Sequence, residues 1–286
     1  LRYTTVNPAV DPNSTYTILP QVLDVTNYTT PYVNNISGIV TCGGSAFSVT
    51  PSDGSGNIIP AGTKYTWTIA TPNTNLNGAT DQSISQSIIS QTLTNTSILP
   101  QSISYSVTPI TVNNCLGDPF SVDVTVNPTP QIGTLSSTVI CSDQTLSFTP
   151  VDGTDGIIPA GTTYTWTVDL NPNVTGESDI SSSQSSIGLS QTLRNTTTTL
   201  QTVVYHITPK SSLNCTGATF TLNVPVNPRP YIDNKSYSIC SNNAFNFIPG
   251  GGDKIPTGTT YSWTVASNTN VSGQSNQTSQ TSISQT

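Results

Sequence analysis

IIPAGTTYTWTV, residues Ile157 to Val168, reads as a turn followed by a strand. Pro159, Ala160 and Gly161 supply the turn. Tyr164, Trp166 and Val168 then alternate with Thr163, Thr165 and Thr167. A period of two puts the rings and the valine on one face and the threonines on the other. Threonine is β-branched and suits the wet face of a pleated strand. The stretch occurs twice more, as IIPAGTKYTWTI from Ile58 to Ile69 and as KIPTGTTYSWTV from Lys254 to Val265. The tryptophans Trp67, Trp166 and Trp263 stand 99 and 97 residues apart.

Other marks keep this step. Cys42, Cys141 and Cys240 are spaced by 99 residues each time. ISQTLTNT (Ile89 to Thr96) returns as LSQTLRNT (Leu189 to Thr196) and then as a terminal ISQT. YSVTP (Tyr105 to Pro109) returns as YHITP (Tyr205 to Pro209), and VNPTP (Val126 to Pro130) as VNPRP (Val226 to Pro230). Solenoid units run to about 20–50 residues, so a period near 100 is a whole domain. Val203, Tyr205 and Ile207 alternate, as do Phe220, Leu222, Val224 and Val226, and likewise Phe120, Val122, Val124 and Val126. No window carries a helical apolar stripe. The expected fold is all-β: tandem immunoglobulin-like sandwiches of about 100 residues. Trp67, Trp166, Trp263, Tyr105 and Tyr205 are expected in their cores.

The units are placed at 39–130, 131–230 and, incomplete, 231–286. Residues 1–38 read as the end of a preceding unit, carried by LRYTTVNPA, followed by a connection at 10–38 with no later counterpart. The sequence opens on Leu1, contains no Met and stops in mid-unit at Thr286, so material is expected on both sides.

Charged residues make up 7% of the chain, against roughly 25% in ordinary domains. Ser, Thr and Asn cover the surface instead. A net charge of −7 with no basic patch argues against a nucleic-acid partner. No apolar run approaches the length of a transmembrane helix.

The five cysteines are Cys42, Cys115, Cys141, Cys215 and Cys240. Locked to the repeat in a chain with a secreted composition, they read as disulfide-forming. The simplest pairing is within each unit, Cys42 with Cys115 and Cys141 with Cys215. In an immunoglobulin topology those positions fall at opposite poles, so pairing between neighbouring units, such as Cys42 with Cys215, stays open, as do free thiols. No Cys-x-x-Cys or histidine cluster points to zinc.

Catalytic readings are weak. His206, the single histidine, is replaced by Ser106 one unit earlier. Asp53, Asp152, Asp155 and Asp253 precede the IPAGT turns and could suggest calcium, but each turn offers only one or two carboxylates, at shifting positions. Paired carboxylates, a G-x-S-x-G elbow and a phosphate loop are all lacking. No catalytic, cofactor-binding or metal-binding residue is therefore expected, and the chain is expected not to be an enzyme. Asn-x-Ser/Thr sequons such as Asn195-Thr196-Thr197 and Asn270-Val271-Ser272 arise readily in this composition.

The order of Cys, IPAGT-x-YTWT, SQTL-x-NT, YxVTP, Cys and VNP-x-P resembles the PKD-like repeats of giant cell-surface proteins of Bacteroidota, over about 39–286. The resemblance implies an adhesin of the SprB-type gliding-motility class, exported by the type IX secretion system and attached at the outer membrane. Its implied partners are that machinery and a surface polysaccharide or substratum. It brings no catalytic residues. The alternative is a carbohydrate-binding or spacer module of a large secreted hydrolase.

Overall fold

The computed structural model describes residues 27–188 and 191–285. The closing strand expected at residues 1–9 lies outside them, as do Leu189 and Ser190 of the second SQTL motif. Repeat 1 contains β1 (Ile36–Cys42), β2 (Ala46–Val49), β3 (Lys64–Thr71), β4 (Leu76–Asn77), β5 (Gln82–Gln86), β6 (Ile89–Thr92), β7 (Thr94–Asn95), β8 (Gln101–Ile110) and β9 (Phe120–Asn127). Repeat 2 contains β10 (Gln131–Ile132), β11 (Leu135–Ser136), β12 (Ile140–Cys141), β13 (Gln144–Thr145), β14 (Gly156–Ile157), β15 (Thr163–Asp169), β16 (Val174–Thr175), β17 (Ile180–Gln184), β18 (Thr192–Asn195), β19 (Gln201–Lys210) and β20 (Phe220–Asn227). Repeat 3 adds β21 (Phe245–Asn246), β22 (Tyr261–Trp263), β23 (Gln277–Gln280) and β24 (Ser284–Gln285). No helix occurs among the described residues.

The fold is all-β, and each complete repeat is a sandwich. One sheet of repeat 1 runs β1-β9-β8-β3-β5, and its counterpart in repeat 2 runs β11-β20-β19-β15-β17, with β12 also on β20. The facing layer is assembled from short pieces, β2–β6 and β4–β7 in repeat 1 and β13–β18–β16 in repeat 2. The central hairpins are antiparallel, whereas the first strand lies parallel to the last: β1 on β9, and β11 and β12 on β20.

The alternation read from the sequence is the alternation of burial. Along β8 and β19 every second residue is buried, and Tyr105, Val107, Val203, Tyr205 and Ile207 are sealed from solvent. Phe120, Val122, Val124 and Val126 face Phe47, Ile89 and Leu93 across the first core. Phe220, Leu222, Val224 and Val226 face Leu146, Ile187 and Leu193 across the second. The two cores share no residue, so each repeat buries its own apolar surface.

Part of the connection at 10–38 does have counterparts. Tyr32 bridges Ile58 as Gln131 pairs with Ile157 and Tyr231 bridges Lys254. The residue after each linker proline (Pro31, Pro130, Pro230) therefore stitches the entering chain to the segment just before the IPAGT turn. The proline is the sequence mark of this correspondence, 11, 11 and 10 residues before Cys42, Cys141 and Cys240, while the backbone bridge makes no demand on the identity of the residue that follows it.

Candidate functional site at the junction between repeats

The repeated polar letters serve the fold of each repeat. In SQTLxNT the leucines Leu93 and Leu193 fill the cores. Gln91 accepts from the Tyr105 hydroxyl at 2.7 Å and donates to the Thr80 carbonyl at 2.6 Å. Gln191 does the same between Tyr205 (2.7 Å) and Ser178 (2.5 Å). In repeat 3 Gln285 donates to the Ser275 carbonyl. The buried Asn95 donates to the carbonyls of Leu99 and Val126 and accepts from Ser97, and Asn195 repeats this with Thr199, Val226 and Thr197. Asn195, the first residue of a sequon, is thus committed inside the protein at 4% exposure. These glutamines and asparagines were visible in the sequence only as repeat marks. A polar residue kept two places before or two places after a core leucine in both repeats is the signal that could have exposed them.

The IPAGT turns owe their form to Gly62, Gly161 and Gly258, which take φ of 78°, 74° and 83°, open to glycine without strain. The following threonines, Thr63, Thr162 and Thr259, close the turn by donating to the proline carbonyl at 2.6 Å.

Trp67 and Trp166 are 5% and 4% exposed, so neither ring offers a platform for a sugar. Trp166 Nε1 donates to the Ser178 carbonyl at 3.1 Å. Trp67 Nε1 has no protein partner and borders an open cavity of about 540 Å³ that Gln82, Gln86 and Gln91 also line. Trp263, expected in a core, is only half-buried. Among the described residues of its repeat no counterpart of β8 and β9, or of β19 and β20, lies over it. Burial pushes the Tyr105 phenol up to about 12 and raises that of Tyr205, with the Glu177 carboxylate adding to the latter.

The turn aspartates are occupied by backbone. Asp53 accepts from Ile59 N–H and Asp152 from Ile158 N–H, both at 2.8 Å. Asp155 accepts from Val151 N–H, and Asp253 from Gly250 and Asp233 N–H and from the Lys235 ammonium. No group of three metal-ligating side chains occurs among the described residues. His206 lies opposite the core face of its strand, half-exposed, 3.1 Å from the Asp169 carboxylate.

The cysteines meet where one repeat ends and the next begins. Cys42 is the last residue of β1, in register with Asn127 at the end of β9. Because β1 runs parallel to β9, it finishes at the pole from which the chain leaves. The chain continues through Pro128, Thr129 and Pro130, and the Pro130 carbonyl lies against Gly217. Gly217 sits in the β19–β20 turn of repeat 2, two residues after Cys215. That turn therefore faces the exit pole of repeat 1, and Cys42 and Cys215 form a disulfide with Cα atoms 5.5 Å apart. Thr129 Oγ1 donates to the Gly43 carbonyl beside it. The within-repeat pairs Cys42–Cys115 and Cys141–Cys215 are not formed. Their members lie at opposite ends of strands of about eight residues, roughly 25 Å apart, where a disulfide needs Cα atoms within about 7 Å. Cys115, Cys141 and Cys240 are free. At the next junction the Lys254 ammonium of repeat 3 donates to the Thr196 carbonyl of repeat 2, beside ion pairs that repeat 2 makes within itself, Asp143 with Arg229 at 3.0 Å and with Arg194 at 3.8 Å.

The PKD-like domain family matches residues 39–130, 138–230 and 237–286. The chain belongs to this family. In these PKD-like repeats the match spans the Cys, Trp and SQTL marks, and β1 begins three residues before the first matched segment. A search of the curated proteins finds no match. Among solved structures, the fibronectin(III)-like modules of Clostridium thermocellum CbhA are 9% identical, with a TM-score of 0.27 over 68% of this chain and 91% of theirs. Drosophila N-cadherin EC1-4 is 12% identical, with a TM-score of 0.23 over 69% and 49%. Bacteroides ovatus SGBP-B, solved in complex with a mixed-linkage heptasaccharide, is 11% identical, with a TM-score of 0.21 over 69% and 48%. The chain thus spans about half the length of the latter two. Among the described residues no helix is long and apolar enough to cross a membrane.

Proposed function

We propose that the PKD-like repeats form a non-catalytic stalk of a cell-surface adhesin. The junction carries this reading. Two domains with separate cores are joined pole to pole by both the main chain and the Cys42–Cys215 disulfide, an arrangement suited to extending and orienting a chain rather than enclosing a substrate. A disulfide between domains also favours an oxidising, extracellular setting. Within each repeat, the recurring polar residues are spent on the fold, which supports a structural role over a catalytic one.

More finely, the stalk belongs to a SprB-type gliding-motility adhesin of a Bacteroidota cell, exported by the type IX secretion system and held at the outer membrane. Its outward partners are surface polysaccharide or the substratum. The experiment is surface labelling. Antibodies raised against the 286-residue chain should label intact, unpermeabilised cells, and their Fab fragments should reduce attachment and gliding. Labelling only after lysis, or labelled cells that attach and glide normally, would overturn the adhesin reading.

A further inference from the structure

The Cys42–Cys215 bond joins two positions that each exist again in the neighbouring repeat. Cys141 is the repeat-2 counterpart of Cys42, and Cys115 the repeat-1 counterpart of Cys215. Both free thiols stand in the frame that the bonded pair uses. Cys141 ends β12 in register with Asn227, as Cys42 ends β1 in register with Asn127. The next residue donates its N–H to that asparagine carbonyl in both repeats, Gly43 to Asn127 and Ser142 to Asn227, each at 2.9 Å.

The turn that holds Cys115 is the turn that holds Cys215. Thr111 N–H donates to the Cys115 carbonyl at 3.0 Å, as Ser211 N–H does to Cys215 at 2.9 Å. The cysteine N–H returns to the Thr111 hydroxyl at 3.1 Å and to the Ser211 hydroxyl at 3.2 Å. Asn114 and Asn214 both take positive φ, 61° and 65°. The Pro31 carbonyl lies against Gly117 as Pro130 lies against Gly217. The entering chain, the turn and the thiol are therefore already placed at repeat 1 as they are at the linked junction.

We propose that Cys115 and Cys141 are the two halves of the same inter-repeat disulfide, directed outward. Cys141 takes the turn cysteine of a following PKD-like repeat, and Cys115 takes the strand-end cysteine of a preceding one. An array of such repeats is then a ladder in which each domain is covalently tied to both neighbours by side chains as well as by main chain. Forming each rung joins two thiols through a new S–S bond. Oxidised glutathione accepts the two electrons and two protons and leaves as two molecules of the reduced thiol. The inference stands on the geometry of the bonded pair and does not depend on the adhesin reading.

The test is a fusion in which residues 1–230 run directly into residues 32–286, so that Pro230 occupies the place of Pro31. This puts Cys141 of the first copy at a junction with Cys115 of the second. After refolding with oxidised and reduced glutathione, alkylation and non-reducing peptide mapping should find that cross-link, together with a Cys42–Cys215 link in each copy. Cys115 of the first copy and Cys141 of the second should be alkylated. Changing Cys141→Ser in the first copy should make Cys115 of the second copy reactive and leave both Cys42–Cys215 links in place. The proposal is overturned if Cys141 and Cys115 at the new junction stay free while the Cys42–Cys215 links form. It is also overturned if either residue pairs within its own repeat. The Cys42–Cys215 links report folding of the fusion, and absence of those links from the unfused chain overturns the proposal at its root.

Discussion

The hydroxyl of Tyr205 meets the side chain of Gln191 at 2.7 Å inside repeat 2, and Gln191 passes the contact on to the Ser178 backbone. A tyrosine ring sealed in a core needs a partner for its oxygen, and the SQT motif supplies it. Gln191→Leu leaves that hydroxyl without a partner and the Ser178 carbonyl with Trp166 Nε1 alone, and should destabilise repeat 2 by about 1–3 kcal/mol. Tyr205→Phe alone should cost about 1 kcal/mol. The double variant should be more stable than Gln191→Leu. Urea unfolding followed by far-UV circular dichroism measures all three.

Asn195 holds two carbonyls with one amide nitrogen. Asn195→Asp turns that donor into a carboxylate oxygen aimed at both. The expected loss is about 3 kcal/mol or more at pH 7. It should be partly recovered at pH 4, where protonation restores a donor. Asn195→Ala should show a loss with no such recovery. Thermal melts at the two pH values distinguish them.

Asp152 is read as a turn cap through Ile158 N–H, not as a cation ligand. Asp152→Ala should lower stability by about 1 kcal/mol. The size of that loss should be the same in 2 mM calcium and in chelator, as read by differential scanning calorimetry. A calcium-dependent loss would contradict the cap.

Buried phenols set an alkaline limit. The Tyr105 pKa lies at about 12 in the fold, above the usual 10. Its contribution is complete below pH 10 and is lost as the pH climbs from 10 towards 12, because only the unfolded chain releases that proton in this window. Tyr105→Phe should flatten the loss. Absorbance at 295 nm should show the exposed members of the eleven tyrosines ionising first. The remainder should appear only with unfolding.

The period, the strand faces and most of the core were readable because burial in a sandwich imposes alternation, and Trp166, Tyr205 and Val224 obey it. The Tyr–Gln and Asn–carbonyl contacts were not. Gln191 and Tyr205 lie 14 residues apart on different layers, and no local rule links them. Cys42 with Cys215 was one of several readings left open. Their separation of 173 residues says nothing by itself. It is the parallel course of the first strand beside the last that puts Cys42 at the exit pole, and strand direction is not written in the alternation of side chains.

That same parallel course governs how a repeat answers tension. A pull applied through the chain enters at the start of β1 and leaves at the end of β9, two strands lying side by side with one direction. With the Cys42–Cys215 bond reduced, the strands are drawn past each other and the hydrogen bonds between them carry the load together; with it formed, the pull also has a covalent route from the end of β1 into repeat 2. An antiparallel pair pulled at its open end would give up its hydrogen bonds one at a time, like a zip. A PKD-like repeat of this form is thus strongest along the axis on which its neighbours are attached.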